Sequence, residues 1–127
     1  MAEPILYIDC SEVREGKLED LKTAMNELVE LVKANEPRLI AYNVYITEDG
    51  TRMTVVHVHP DSASLEFHMK VAGPAFPRFA EFLRLLTIDV YGAPSDDLVE
   101  QMRRKAKMLG NGTVVVHSLL AGLARFP

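Results

Sequence analysis

Residues 39–59 read Leu39-Ile-Ala-Tyr-Asn-Val-Tyr-Ile-Thr-Glu-Asp-Gly-Thr-Arg-Met-Thr-Val-Val-His-Val-His59. Two alternating runs, 39–47 and 52–59, flank Glu48-Asp49-Gly50-Thr51. Alternation with period two is the mark of a strand, and Asp-Gly supplies the positive φ angles of a tight turn, so this stretch is a β-hairpin. Downstream, Pro60-Asp61-Ser62 stops the second strand and offers a helix N-cap. A helix over 62–72 follows, broken at Gly73-Pro74. Phe76, Phe79, Phe82, Leu83 and Leu86 then suit the apolar stripe of a further short helix, with Pro77 tolerated in its first turn. Residues 86–91 alternate again as a fourth strand.

Upstream, residues 4–10 read as a strand with Ile5, Tyr7 and Asp9 on one face and Leu6, Ile8 and Cys10 on the other. After Gly16 the period becomes helical, with Leu18, Leu21, Met25, Leu28 and Val32 at steps of three and four. That helix ends near Asn35, because Pro37 disfavours the helical conformation in the residue before it. Beyond the fourth strand, Gly92-Ala-Pro-Ser95 is a turn and Ser95 or Asp96 caps a helix to about Met108. Asn111-Gly112 is another turn, and 113–120 reads as a fifth strand.

The order β-α-β-β-α-β specifies an α+β, ferredoxin-like fold: a four-stranded antiparallel sheet with both helices on one face. The 127 residues read as one domain, with a core over about 4–91 and a helix–strand extension over about 92–127. Parity then sorts the strands into faces. One collects Leu6, Ile8, Ile40, Tyr42, Val44, Ile46, Thr54, Val56, Val58, Ile88 and Val90, and is expected under the helices. The other collects Tyr7, Asp9, Leu39, Ala41, Asn43, Tyr45, Met53, Val55, His57, His59, Thr87, Asp89 and Tyr91. A solvated face carries more Lys, Glu and Arg than this, so the second face reads as a pocket wall or a subunit interface.

Fourteen Lys and Arg against 18 Asp and Glu give a net charge of −4, which argues against nucleic acid or an anionic membrane as partner. The single Cys10 permits no intrachain disulfide; placed on the helix-facing side, it reads as an inert buried thiol. With no secretory leader or membrane-length apolar run, a cytoplasmic location is expected. No glycine-rich nucleotide motif is present. The basic cluster Arg103, Arg104, Lys105 and Lys107 reads as a solvated face at a helix end.

Four histidines carry most of the available chemistry. His68 shares an apolar stripe with Leu65, Met69 and Ala72, so it is either a hydrogen-bonded core residue or a general acid–base in a pocket. His57 and His59 point the same way from one strand. They suit pocket lining, a structural role, or a metal site completed by Asp89, Asp9 or His68. His117 shows no partner in the sequence. Asn43, Tyr45, Tyr7 and Tyr91 offer flat rings and hydrogen-bonding groups, fit either for a planar polyphenol or quinone or for a dimer interface.

Glu36-Pro37-Arg38-Leu39-Ile40-Ala41-Tyr42, the hairpin, Met53 to Asp61, Leu65-Glu-Phe-His68-Met69 and Gly73-Pro-Ala-Phe76 together resemble the antibiotic biosynthesis monooxygenase (ABM) family of the dimeric α+β barrel superfamily. The resemblance spans about residues 4–91. It implies two subunits pairing sheet to sheet, with a substrate cavity in each half. Where family members often carry an acidic or aromatic residue and then Trp, this chain has His57 and His59; where many carry a second His, it has Ala75. The resemblance implies a cofactor-independent oxygenase acting on quinols or polycyclic aromatics such as anthrones. His68 or His57 would remove a proton, and Asn43, Tyr45 or His59 would stabilise the anion, with Tyr7, Tyr91 and Asp89 on the same binding face. The other reading is a non-catalytic homodimer that binds a small hydrophobic molecule or is purely structural.

Overall fold

The computed structural model describes residues 3–126. The hairpin forms as its turn residues dictate: Gly50 takes φ +74°, and Asp49 Oδ1 accepts from the Thr51 amide at 3.0 Å. Around it the elements run β1 (Ile5–Val13), α1 (Leu18–Asn35), β2 (Ala41–Ile46), β3 (Arg52–His59) and α2 (Ser62–Ala72). A 3-10 turn at Gly73–Ala75 leads into α3 (Phe76–Phe79), followed by β4 (Leu83–Tyr91), α4 (Asp96–Leu109) and β5 (Thr113–His117). The sheet order is β2-β3-β1-β4-β5. Its first four strands are antiparallel neighbours, the expected ferredoxin-like arrangement, and β5 joins the β4 edge in parallel.

The short helix whose expected stripe reaches Leu86 ends at Phe79 after four residues, and Leu83 already belongs to β4. Phe79 and Phe82 pack edge to face, 6.2 Å between centroids, so the aromatic stripe is real. Leu83 and Leu86 were the ambiguous part, because a short apolar run satisfies either period. A bulge skips Leu86 in the pairing of β4 with β1, and it keeps Leu83, Leu85, Ile88 and Val90 all buried.

The faces of the two central strands are the reverse of the parity expectation. Pairing places Tyr42, His57, Tyr7 and Val90 in one row across the sheet, and Val44, Val55, Asp9 and Ile88 in the next. These rows lie under the helices. Leu6, Ile8, Cys10, Thr54, Val56 and Val58 turn to the other face, where Cys10 is half-buried and not beneath a helix. The physical reason is that β1 and β3 are apolar at both parities, so hydrophobicity alone cannot choose a side. The hairpin count can: Ile46 opposite Met53 forces Tyr42 opposite His57.

α4 lies on the same side as α1 and α2, burying Leu98, Met102, Lys105, Ala106 and Leu109. Lys105 is therefore buried and not part of a solvated basic face, unlike its neighbours Arg103 and Arg104. No helix among the described residues covers the opposite sheet face. No helix among the described residues is long and apolar enough to cross a membrane.

Candidate functional site

Elements of both layers bring polar groups into the space between sheet and helices. From the sheet, β3 contributes His57 and His59, and β1 contributes Tyr7 and Asp9, all buried. From above, α2 contributes Ser64 and His68. Asp61 sets this helix by capping it, its carboxylate accepting from the Ser64 amide at 2.9 Å while Arg38 donates to the same side chain. At the end of α1, Pro37 holds Glu36 out of helical conformation, at φ −123° and ψ 74°, and its carboxylate turns under α2.

Two networks result. In the first, His68 Nδ1 lies 2.9 Å from Glu36 Oε2 and 3.1 Å from Oε1. A neutral imidazole then donates from Nδ1, which leaves Nε2 as an acceptor; this atom is buried and has no partner among the described residues. Next to it, His57 meets His68 edge-on, with ring centroids 4.4 Å apart. His57 Nδ1 is 3.3 Å from His59 Nε2, and His59 Nδ1 is 2.8 Å from Ser64 Oγ.

The second network joins Lys105 to β1. Its ammonium donates to the Tyr7 hydroxyl at 2.7 Å and to Asp9 Oδ2 at 3.3 Å, and Tyr7 donates to Asp9 at 2.9 Å. Phe76 places its ring face 4.3 Å from the same nitrogen. Sequence reading missed Lys105 and Glu36. The spacing of Lys105 from Leu98, Met102, Ala106 and Leu109 put it on an apolar stripe, which was the available signal; the contact of Glu36 with His68 had none beyond the Glu-Pro pair.

Burial holds all three imidazoles in the neutral form. His57 is pushed well below the usual range by burial, then by competition with His68 for a proton, by Lys105 nearby and by competition with His59. Burial brings His59 down to about 3, with His68 repelling its proton and Asp61 opposing. His68 is also lowered by burial, against the pull of Glu36. Burial and the nearby Asp9 raise the Tyr7 hydroxyl well above its ordinary range, so it stays protonated.

Between these networks lies a cavity of about 30 Å³, lined by Asp9, Ser11, Tyr42, His57 and Lys105 and by the apolar Met25, Leu28, Met53, Phe76, Phe79 and Leu85. That is room for about two waters. His68 stands one ring behind its wall.

The expected site residues thus divide. His57, His59, His68 and Tyr7 converge, whereas Asn43, Tyr45, Asp89 and Tyr91 lie on the helix-free face of the sheet. There His117 does find a partner: its Nε2 is 2.8 Å from Asp89 Oδ1, and its ring stacks on Tyr91 at 4.3 Å. No group of three His, Cys, Asp or Glu side chains among the described residues is arranged to hold a metal ion.

No family model matches the sequence, and no curated protein matches it significantly. Solved structures do. A presumed antibiotic biosynthesis monooxygenase from Bacteriodes thetaiotaomicron VPI-5482 superposes with a TM-score of 0.54 at 18% identity, over 65% of this chain and 85% of its own. SnoaB, a cofactor-independent oxygenase from Streptomyces nogalater, superposes at 0.61 and 11% identity, over 74% of this chain and 96% of its own. The chain has the ABM-like α+β fold. MupZ from Pseudomonas fluorescens is similar over nearly the whole length, 97% of this chain and 95% of its own, with a TM-score of 0.74 at 15% identity. The two ABM-type neighbours leave a quarter or more of this chain unmatched, whereas MupZ extends over almost all of it. At these identities the likeness establishes the fold; the chemistry has to come from the side chains of this chain.

Proposed function

We propose that this chain is an acid–base enzyme of the cofactor-independent oxygenase type, acting on an apolar aromatic with an acidic C–H or phenol, such as an anthrone or quinol. One observation carries the reading: a neutral imidazole (His57) and an ammonium (Lys105) line the same apolar cavity. His57 Nδ1 is engaged by His59, so Nε2 is the nitrogen open to a substrate proton. The carbanion or phenolate left behind forms against Lys105, whose charge favours it in a water-poor site. Such an anion transfers an electron to dioxygen, and the radical pair closes to a peroxide on carbon. With an anthrone, the O–O bond then breaks: one oxygen stays as the new carbonyl, and the other leaves as water with the two hydrogens the carbon lost. His57 returns the first of these protons. His68, oriented by Glu36, supplies a second acceptor behind the wall.

The non-catalytic reading has one observation in its favour, the small volume of the cavity, about 30 Å³. A ring-sized substrate needs more room than this volume offers. Oxygen uptake with a panel of anthrones and quinols separates the two readings. Uptake that falls about a hundredfold or more in His57→Ala and Lys105→Met supports the enzyme, since a lost base or charge partner has that effect. No uptake with any substrate, or uptake indifferent to both substitutions, overturns it.

We also propose that the functional unit is a homodimer in which the helix-free faces pair. Leu6, Ile8, Val56 and Val58 form the middle of that face, and Tyr45 and Val115 are exposed at its flanks. Beyond β5, Leu119, Leu120 and Leu123 are also exposed. Contiguous apolar surface of this kind marks an interaction site. In this arrangement Asn43, Tyr45, Asp89 and Tyr91 serve the interface, and the small hydrophobic ligand belongs to the cavity under the helices.

A further inference from the structure

We propose that Ser64, His59 and His57 form a proton outlet from the cavity under the helices to a groove beside α2. The proposal rests on the acid–base role given to His57. The groove, about 370 Å³, is bounded by Glu36, Pro37, Arg38, Leu39, Ser64 and Phe67. Ser64 is therefore a wall of the groove at one end of the chain of contacts, and His57 is a wall of the cavity at the other. Between them run two hydrogen bonds, Ser64 Oγ to His59 Nδ1 at 2.8 Å and His59 Nε2 to His57 Nδ1 at 3.3 Å.

A neutral imidazole has one donor nitrogen and one acceptor nitrogen. Two such rings and a hydroxyl in series can therefore be ordered in only two ways. In the outward order, His57 Nδ1–H donates to His59, His59 Nδ1–H donates to Ser64, and His57 Nε2 is bare toward the cavity. In the inward order, Ser64 donates to His59, His59 Nε2–H donates to His57, and His57 Nε2 carries hydrogen. Passing from the first to the second takes one proton from the cavity at His57 Nε2. It moves one from His57 to His59, one from His59 to Ser64, and releases the original Ser64 hydroxyl proton to water in the groove. Charge and atoms balance, and no imidazolium persists in a site where burial disfavours it.

The second pair that reaches the groove, Glu36 and His68, gives no such path. Its inner nitrogen, His68 Nε2, contacts no polar partner among the described residues. Ser64 is thus a positioning and relay residue, not a catalytic one.

The test needs no substrate. In ¹⁵N-histidine-labelled protein, the exchange of His57 and His59 ring N–H with water is measured by saturation transfer, with β3 backbone amides as the control for local opening. Ser64→Ala removes the hydroxyl but keeps the amide that Asp61 caps; ring exchange is expected to slow about tenfold or more while the amides are unchanged. Ser64→Thr, which restores the hydroxyl, is expected to exchange at close to the wild-type rate. Equal ring exchange in wild type and Ser64→Ala, or Ser64→Thr as slow as Ser64→Ala, overturns the outlet. Oxygen uptake is read separately. Slowed ring exchange in Ser64→Ala with no uptake on any substrate removes the oxygenase and supports the outlet.

Discussion

Lys105 Nζ lies 2.7 Å from the Tyr7 hydroxyl, tying the last helix to the first strand across 98 positions of sequence. The contact buries a cation where a solvated helix face was expected, and Asp9 at 3.3 Å makes it an ion pair. Removing one partner of a buried pair leaves the other charge stranded, which costs more than the pair contributes.

Lys105→Ala is therefore expected to destabilise the protein by about 3 kcal/mol or more. Asp9→Asn combined with Lys105→Met is expected to be less destabilised than the sum of the single changes, with a coupling of about 1–3 kcal/mol. Urea denaturation of the four proteins measures it. Strict additivity would show that the contact carries no energy.

The buried imidazoles make stability depend on pH in one direction. His59 is held at about 3 in the folded chain against an ordinary value of 6.5, so the folded protein binds fewer protons than the unfolded chain between those values. Stability is full above about pH 6.5 and is lost as pH falls through that window. At roughly 1.4 kcal/mol per unit, His59 alone accounts for about 2 kcal/mol of loss by pH 5. His57 and His68, lowered in the same direction, add to it. Urea midpoints at pH 7.5 and 5.0 check this, and His59→Gln should flatten the slope. A stability that is level across the interval would contradict the neutral buried cluster.

Gly110 joins α4 to β5 at φ +145°, where a Cβ would come within 2.6 Å of Arg84 Cγ and 3.0 Å of the Leu85 amide nitrogen. Both the backbone angle and the backbone contact oppose a side chain. Gly110→Ala is expected to cost about 2 kcal/mol in thermal or urea unfolding. A loss below about 0.5 kcal/mol, the usual size of a neutral surface change, would show that this turn relaxes freely.

Val56 sits at the centre of the helix-free face, between Asn43 and Ile8. Val56→Lys is expected to leave the far-ultraviolet circular dichroism unchanged and to halve the mass seen by sedimentation, because a charge buried between paired sheets is costly. A wild-type protein already monomeric at micromolar concentration would remove the dimer.

Much of this structure was legible in the residues. Asp49-Gly50 fixed the hairpin, Asp61 and Gly73-Pro74 bounded α2 at 62–72, and Pro37 ended α1. His68 was on a buried stripe by spacing alone. The faces of β1 and β3 were not legible from hydrophobicity, because both parities of a central strand are apolar. They followed only from pairing Ile46 with Met53, which carries Tyr7, Asp9, His57 and His59 under the helices. Local patterns thus determined which elements form and in what order, since propensity, capping and turn chemistry act over a few residues. Only tertiary structure decided that Glu36 meets His68 and that Lys105 meets Tyr7 and Asp9. Those contacts join residues 32 and up to 98 positions apart, and no local periodicity encodes a partner at that distance.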